Sequence, residues 1–157
     1  MVTNNITRIL DSQGVQFQVF ELPEEKLGAA ETAALLHVPL SLVYKTIVLV
    51  NERTKKYILA IVPGDREVDL KSTAAALGDK KILLTTMAEA EKATGLKTGG
   101  ISPLALLNKG FKILLDESAL SAHEIHISGG QRGLNIRIQV NDLIRITHAT
   151  PAAISRE

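Results

Sequence analysis

Three short stretches of the sequence contain residues that could bind or activate a ligand. The first is 43–46, where Lys45 stands between a helical turn and an apolar, β-branched run. A lysine at the mouth of a buried strand can pack its methylene stem and hold its ammonium group over a cleft. It would there face a phosphate or a polarised carbonyl. A strand-end lysine in solvent fits the same spacing, and spacing alone favours that simpler interpretation.

A glycine-rich stretch at 94–103 is the second candidate. It contains Gly95, Gly99 and Gly100 and is closed by Pro103, a composition that neither a helix nor a strand tolerates. Without a Cβ in the way, the backbone N–H groups of Gly99 and Gly100 can approach a ligand and form a small anion or oxyanion site. A tight connection between two elements is the competing interpretation.

The third stretch, 128–133, joins two runs in which aliphatic residues alternate with polar ones. That pattern predicts a β-hairpin, and the glycines at 129, 130 and 133 suit its loop. Arg132 in this loop could also contact a phosphate, because its guanidinium group offers two parallel N–H donors.

Other kinds of chemistry find little support. The chain has no cysteine, which excludes disulfides, cysteine-based zinc sites and a cysteine nucleophile. His123 and His126 are three residues apart, which puts them on opposite faces of a strand and argues against a shared metal ion. The glycine motifs of nucleotide hydrolysis and dinucleotide binding do not occur. A formal net charge of +1 argues against a broad surface for nucleic acid but allows a grip on a few phosphates.

The elements that must position these stretches follow from hydrophobic periodicity and from capping residues. Five helices are predicted. The first lies between Thr3 and Gly14, the second covers 29–37, the third lies between Asp69 and Gly78, the fourth covers 87–94, and the fifth is capped by Asn141 or Asp142. Predicted strands are 15–20, 46–50, 57–62, 81–85, 111–115, 124–128 and 134–140. The runs 46–50 and 57–62 are nearly continuous in apolar residues, so we expect a hairpin with both faces covered. Residues 151–157 either extend the last helix or fray.

Interspersed hairpins and helices favour an α+β fold with a mixed central sheet flanked by helices. A length of 157 residues, with glycine and proline scattered between periodic segments, fits a single domain over 1–157. Residues 1–10 lack the basic and apolar regions of a signal peptide, and no apolar stretch approaches the roughly 20 residues that span a bilayer. We therefore expect a cytoplasmic protein without a membrane partner.

Taken in order, the three stretches resemble the YbaK/EbsC proteins and the inserted editing domain of bacterial prolyl-tRNA synthetase. The resemblance covers nearly the whole chain, and the ordered set is more specific than any one motif. One departure is Ala105, which stands where relatives often have glycine. The matching motifs are Tyr44-Lys45-Thr46, Pro63-Gly64-Asp65 with Asp69-Leu70-Lys71, Ala75-Ala76-Leu77-Gly78 before Lys80-Lys81, Thr94-Gly95, Gly99-Gly100-Ile101-Ser102-Pro103, Asp116-Glu117, and Ser128-Gly129-Gly130 with Arg132-Gly133-Leu134.

The resemblance implies a curved mixed sheet and a trans-editing deacylase that clears Cys-tRNA(Pro), Ala-tRNA(Pro) or a similar mischarged species. It places the family's important lysine at Lys45 and its important glycine at Gly99, and together with Gly100 these are the expected catalytic positions. Substrate contacts are expected from Tyr44, Thr46, Ile101, Ser102, Pro103, Ser128, Gly129, Gly130 and Arg132.

The implied reaction is hydrolysis of an aminoacyl ester at the 3′ CCA end of tRNA, with the oxyanion received near Gly99 and Gly100. No side-chain nucleophile or general base is evident. In the family the attack is attributed to a bound water or to a group of the substrate itself, such as the thiol of cysteine. We expect no metal and no organic cofactor. Because a nearly neutral protein has little charge with which to identify one tRNA, we expect a partner, with prolyl-tRNA synthetase as the candidate.

Three alternatives stay open at this point. The fold could serve as a non-catalytic module that binds tRNA ends or a nucleotide. The glycine loops could be plain turns of a structural or regulatory protein. The same site could also hydrolyse a different small ester.

Overall fold

The computed structural model describes residues 3–157, and no helix in that range has the length and apolarity needed to cross a membrane. The helices of those residues are α1 (Asn5–Ser12), α2 (Ala29–Leu36), α3 (Leu70–Leu77), α4 (Met87–Thr94) and α5 (Val140–Thr147). The strands of the same residues are β1 (Phe17–Glu21), β2 (Tyr44–Asn51), β3 (Tyr57–Pro63), β4 (Glu67–Val68), β5 (Ile82–Leu84), β6 (Lys112–Asp116), β7 (Glu124–Ser128), β8 (Leu134–Gln139), β9 (Thr150–Ala152) and β10 (Ser155–Arg156).

A five-stranded mixed sheet carries the strands in the order β5-β2-β3-β6-β9. The β2–β3 hairpin is antiparallel, as predicted, and its register pairs Lys45 with Val62. β6 lies parallel to β3, and β9 lies parallel to β6. The predicted α+β fold with a mixed sheet flanked by helices is thus confirmed.

Both faces of this sheet are covered, as the nearly continuous apolar strands predicted. Side chains alternate along β3, so Leu59 and Ile61 belong to the larger core, which α1 and α5 also enter. Their neighbours Ala60 and Val62 belong to a smaller core that includes Ala74 of α3. Burial on two sides explains why these strands show no polar face in the sequence.

A second sheet of three antiparallel strands, in the order β1-β8-β7, was not predicted as a separate layer. One of its faces packs into the larger core through fully buried isoleucines, namely Ile125, Ile127, Ile136 and Ile138. The opposite face carries His126, Ser128 and Asn135. A β-bridge between Val43 and His126 joins the start of β2 to β7. The polar face of the second sheet therefore lies next to the residues where β2 begins.

Most helix ends follow the predicted capping residues. Asp69 caps α3 with its side chain, and Gly78 and Gly95 end α3 and α4 in the left-handed conformation. The first helix is capped by Asn4 and not by Thr3, because the Asn4 side chain and the third helical residue bond reciprocally to each other's backbone.

The C-terminal region differs from the prediction. α5 begins at Val140 directly after β8, so Asn141 and Asp142 lie inside its first turn instead of capping it. The chain after α5 neither extends the helix nor frays, because β9 pairs with β6 and β10 pairs with β4. Ile154 is fully buried there, and its N–H donates to the Asp116 carboxylate at 3.1 Å.

Candidate active site

The start of β2, the polar face of the second sheet and the glycine-rich stretch enclose one cavity of about 440 Å³. This volume lies in the range of small-molecule sites. The segment 22–28 and the start of α2 complete the wall and add the charged side chains of Glu25, Lys26 and Glu31. Half of the predicted site residues line the cavity, namely Tyr44, Lys45, Thr46, Gly99, Ile101 and Ser128.

Lys45 lies at the edge of this cavity. Its Nζ is 3.5 Å from Oε1 of Glu67, and its side chain is 26% exposed against 66% for that of Glu67. An exposed ion pair of this kind contributes only about 0–1 kcal/mol. An incoming phosphate can therefore compete with the Glu67 carboxylate for the ammonium group.

The glycine-rich stretch forms a tight turn over 97–100, closed by a 2.8 Å hydrogen bond from the Gly100 N–H to the Lys97 carbonyl. Gly99 occupies the third position of the turn with φ +93°. A type II turn requires a positive φ at this position, and residues other than glycine rarely adopt one. Within residues 3–157 the Gly99 N–H donates no hydrogen bond, so it is free for a ligand. The Gly100 N–H is committed to the turn, which corrects the expectation that both glycines act as donors.

Two charged side chains hold this turn in place. The Glu91 carboxylate accepts the Thr98 N–H at 2.7 Å, and Arg132 donates its Nε–H to the Thr98 carbonyl at 2.8 Å. The C=O and N–H of a trans peptide point in opposite directions. The Gly99 N–H therefore points away from the Arg132 guanidinium, and Gly99 lines the cavity while Arg132 does not. Arg132 thus holds the turn through the Thr98 carbonyl, and its predicted contact with a phosphate stays a prediction.

The hydrogen bond from the Thr98 N–H is the main reason that the pKa of Glu91 lies below its ordinary value, and the nearby Arg132 guanidinium lowers it further. The carboxylate therefore stays charged at neutral pH and remains an acceptor for the turn.

Tyr44 lines the cavity, but its hydroxyl is held elsewhere. The oxygen lies 2.8 Å from Oγ of Ser118, and burial raises the pKa of Tyr44 above its ordinary value. The phenol is therefore neutral and serves mainly as a packing group of the larger core. Thr46, Ile101 and Ser128 complete the predicted residues of the wall.

The remaining predicted substrate contacts support the cavity without lining it. Ser102 is fully buried and caps the short turn that Pro103 begins. The Gly129 N–H donates to the Leu134 carbonyl at 2.8 Å and so closes the β7–β8 hairpin. Gly130 has φ +91° and packs against Ile6, where a Cβ would collide with that side chain. These positions need small or cap-forming residues for backbone reasons, so we assign them to the support of the site.

Sequence reasoning missed Asn135, which lines the cavity while being only 4% exposed. A signal was present, because the alternation that buries the isoleucines of β7 and β8 puts Asn135 on the opposite face, directly across from Ser128. Lys26 and Glu91 were also missed, and they carry no such signal. Only the fold brings these two exposed-looking residues next to Gly99.

A second, more open cavity of about 760 Å³ is lined by Lys56, Tyr57, Lys109 and Phe111, among others. Ala105, the departure from the family pattern, lies there and not in the candidate active site. Within residues 3–157 no group of three histidine, aspartate or glutamate side chains is arranged to hold a metal ion.

One cavity of this α+β domain thus brings together Lys45, Gly99 and both apolar and charged side chains of the wall. The model of the aminoacyl-tRNA editing domain matches residues 23–146, and the chain belongs to this family. The resemblance to the YbaK/EbsC proteins is therefore confirmed, and the protein is placed among the hydrolases that act on aminoacyl-tRNA.

Two curated relatives agree with this placement. EbsC of Enterococcus faecalis, named as a candidate Cys-tRNA(Pro)/Cys-tRNA(Cys) deacylase, is 31% identical over 153 residues, which cover 96% of this chain and 92% of EbsC. The proline–tRNA ligase of Fervidobacterium nodosum is 24% identical over 130 residues, which cover 82% of this chain but only 22% of the ligase.

Solved structures show the same fold. The crystal structure of the hypothetical protein APE2540 matches with a TM-score of 0.89 at 24% identity, over 98% of this chain and all of that one. A candidate trans-editing enzyme for prolyl-tRNA synthetase matches with a TM-score of 0.83 at 25% identity, over the full length of both chains.

Proposed function

We propose that this protein is a trans-editing hydrolase that removes a wrongly attached small amino acid from the 3′ end of tRNA. The observation that carries the proposal is that Lys45, with its partly exposed ammonium group, and Gly99, whose N–H donates no hydrogen bond within residues 3–157, line the same cavity. The first group suits the negative charge of the tRNA backbone, and the second suits the charge that develops on an ester carbonyl during hydrolysis. Membership of the editing family supports the substrate class.

The bond that breaks is the ester between the amino acid and the ribose of the terminal adenosine. A nucleophile adds to the carbonyl carbon, and the carbonyl oxygen becomes an oxyanion that the Gly99 N–H receives. A donor of this kind typically contributes about 3–4 kcal/mol to lowering the barrier. The bond to the ribose oxygen then breaks, and that oxygen leaves with a proton. With water as the nucleophile, the products are the free amino acid and tRNA with its terminal hydroxyl restored.

We assign the attack to a bound water or to a group of the substrate itself. Aminoacyl esters are already reactive, so correct placement of the reacting groups and stabilisation of the oxyanion can supply the rate. We accordingly propose a reaction that needs neither a metal ion nor an organic cofactor, carried out by residues 1–157 acting as one domain.

We assign the role of phosphate ligand to Lys45. Its ammonium group is partly exposed and paired only with the solvated Glu67 carboxylate, 3.5 Å away. A phosphate of the CCA end would take the place of that carboxylate. A charge-assisted contact of this type contributes about 1.5–3 kcal/mol, which corresponds to roughly 10- to 100-fold in kcat/KM.

We propose cysteine, or an amino acid of similar size, as the group that is removed. The name of the relative EbsC, which includes Cys-tRNA(Pro), favours this choice. One methylene group changes selectivity in such a pocket by only about 1–3 kcal/mol, so alanine should also be removed. The wall is built from side chains of small and medium size, among them Ala29, Thr32, Val43, Ile47 and Ile101.

We assign recognition of the tRNA body to a partner protein, with prolyl-tRNA synthetase as the candidate. The formal net charge of +1 gives this chain little long-range attraction for RNA. A segment similar to this chain forms part of a proline–tRNA ligase, which supports the pairing. A partnership of this kind would place the reaction in the cytoplasm, where tRNA is charged.

A deacylation panel tests the proposal, with Cys-, Ala- and Pro-tRNA(Pro) as substrates. We expect the wild type to clear Cys-tRNA(Pro) fastest, and Lys45→Ala to lower kcat/KM by roughly 10- to 100-fold, mainly through KM, because a phosphate contact is lost. Lys81→Ala is the matched control. It removes another exposed lysine–glutamate pair, of 3.9 Å, that lies outside the cavity, and it should keep wild-type activity.

Two results would overturn the proposal in different ways. A wild type that binds tRNA ends but releases no amino acid would be a non-catalytic binding module. Equal hydrolysis of free aminoacyl esters and of aminoacyl-tRNA would indicate an enzyme for small esters without a role for the RNA.

A further inference from the structure

A buried polar pair, Asn135 and His126, lies at the wall of the cavity. Asn135 is 4% exposed and His126 is 3% exposed, yet Asn135 is among the residues that line the cavity. A buried carboxamide is costly unless both its oxygen and its NH₂ group find partners. The partners of Asn135 therefore indicate its purpose.

The oxygen of the carboxamide has a protein partner. Asn135 Oδ1 lies 2.8 Å from His126 Nδ1. A carbonyl oxygen can only accept, so the imidazole carries its proton on Nδ1 and donates it to Asn135. Burial lowers the pKa of His126, which favours the neutral ring in this arrangement.

The imidazole is itself held in place. The Phe20 ring lies 5.4 Å from the His126 ring, and the Arg137 guanidinium lies 5.8 Å from the centre of the Phe20 ring. Phe20 is also the cross-strand partner of Asn135 in β1. A histidine fixed in this way holds the carboxamide in one orientation, with its oxygen toward the imidazole.

The NH₂ group of the carboxamide has no protein partner. Within residues 3–157 Asn135 Nδ2 donates no hydrogen bond. Two side-chain polar atoms of these residues are buried without a partner, Thr98 Oγ1 and Arg137 Nε, and Asn135 Nδ2 is not one of them. Asn135 Nδ2 is therefore accessible. The small exposed surface of Asn135 is therefore the surface that it presents to the cavity. The carboxamide offers two N–H bonds to whatever occupies that space.

We propose that Asn135 donates a hydrogen bond from Nδ2 to an oxygen of the bound aminoacylated ribose, and that His126 is the positioning residue that orients it. The inference rests on the proposed function. The Gly100 N–H is used within its turn, so the site lacks the second backbone donor that the glycine pair suggested. A preorganised side-chain amide is a donor of the type that such sites use.

Asn135→Asp tests the proposal, because aspartate has the same shape and keeps an acceptor for His126 but lacks the donor. Asn51→Asp is the matched control. Asn51 is 5% exposed, and its side-chain oxygen also accepts hydrogen bonds, from the backbone of the β2–β3 turn, outside the cavity. We expect Asn135→Asp to lose at least tenfold in kcat/KM on Cys-tRNA(Pro) and to bind a non-hydrolysable 3′-aminoacylamino-adenosine at least tenfold more weakly. Asn51→Asp should stay within twofold of the wild type in both assays.

A second comparison separates positioning from plain stability. His126→Phe keeps a ring against Phe20 but cannot donate to Asn135, and we expect it to lower kcat/KM by about three- to tenfold. In an Asn135→Ala background the same change should cause no further loss, because the group that His126 orients is gone. Additive losses in the two backgrounds, or losses that merely follow the melting temperature, would overturn the role of His126.

The outcomes also distinguish this inference from the function on which it rests. An active wild type with an Asn135→Asp variant within twofold of it would overturn the role of Asn135 and leave the function intact. A wild type that deacylates no substrate of the panel would overturn the function itself.

Discussion

The hydrogen bond from Arg132 to the glycine turn gives the sharpest test of how the oxyanion donor is positioned. Arg132→Met keeps the aliphatic stem that packs beside Gly99 but deletes the Nε–H that holds the Thr98 carbonyl at 2.8 Å. Without that bond the peptide between residues 98 and 99 can rotate, and the Gly99 N–H no longer has a fixed direction. We therefore expect catalysis to suffer more than substrate binding.

The size of the effect follows from the bond that is lost. A hydrogen bond with a charged donor contributes about 1.5–3 kcal/mol, and Arg132 is only partly buried, so water can replace part of it. Taking the lower half of that range gives a loss of roughly 10- to 40-fold in kcat. KM should change by less than about threefold, because the donor acts mainly on the charge of the transition state.

Steady-state deacylation of Cys-tRNA(Pro) measures both constants. Arg66→Met is the matched control, since the Arg66 Nε donates to Ser155 Oγ at 2.9 Å in a part of the chain that does not line the cavity. We expect wild-type kcat from this variant. A kcat of Arg132→Met within twofold of the wild type, or an equal loss in both variants, would refute the idea that the guanidinium aims the Gly99 N–H.

Two further predictions concern charges at the site. Glu67→Gln removes the carboxylate that competes for Lys45, so KM for aminoacyl-tRNA should fall by about two- to fivefold; an unchanged or higher KM would argue against Lys45 as the phosphate ligand. The hydrogen bond from the Thr98 N–H is the main cause that lowers the pKa of Glu91 in the folded protein. The Glu91 carboxylate therefore stabilises the fold fully above the ordinary glutamate pKa, and this stabilisation is lost as the pH falls through the folded pKa. An NMR titration should therefore place the pKa of Glu91 below the ordinary value, and a midpoint at or above that value would mean that the carboxylate does not hold the turn.

Features that depend on local chemistry could be predicted from the sequence. Asp69, Gly78 and Gly95 end their helices as predicted, because a cap needs only the residues within one turn. The second sheet could not be predicted in this way, since β1 pairs with β8 from the opposite end of the chain. The cavity forms between the two sheets. Its walls therefore could not be predicted from local sequence patterns.

The site shows the same division. The glycine pair at 99 and 100 could be singled out by composition, and the family resemblance pointed to Gly99 within it and to Lys45. The role of Arg132 could not be predicted, since its partner carbonyl lies 34 residues away in the chain. Asn135 was open to prediction in part, because β alternation puts it on the polar face, but its buried bond to His126 emerges only from the fold.

A crystal structure with a non-hydrolysable 3′-aminoacylamino analogue of adenosine 5′-phosphate would test the central claim most directly. We predict that the acyl carbonyl oxygen lies within hydrogen-bonding distance of the Gly99 nitrogen while the phosphate lies beside Lys45 Nζ, in place of the Glu67 carboxylate. A ligand seated in the cavity of Tyr57 and Phe111, or bound beside Lys45 with its carbonyl turned away from Gly99, would contradict it.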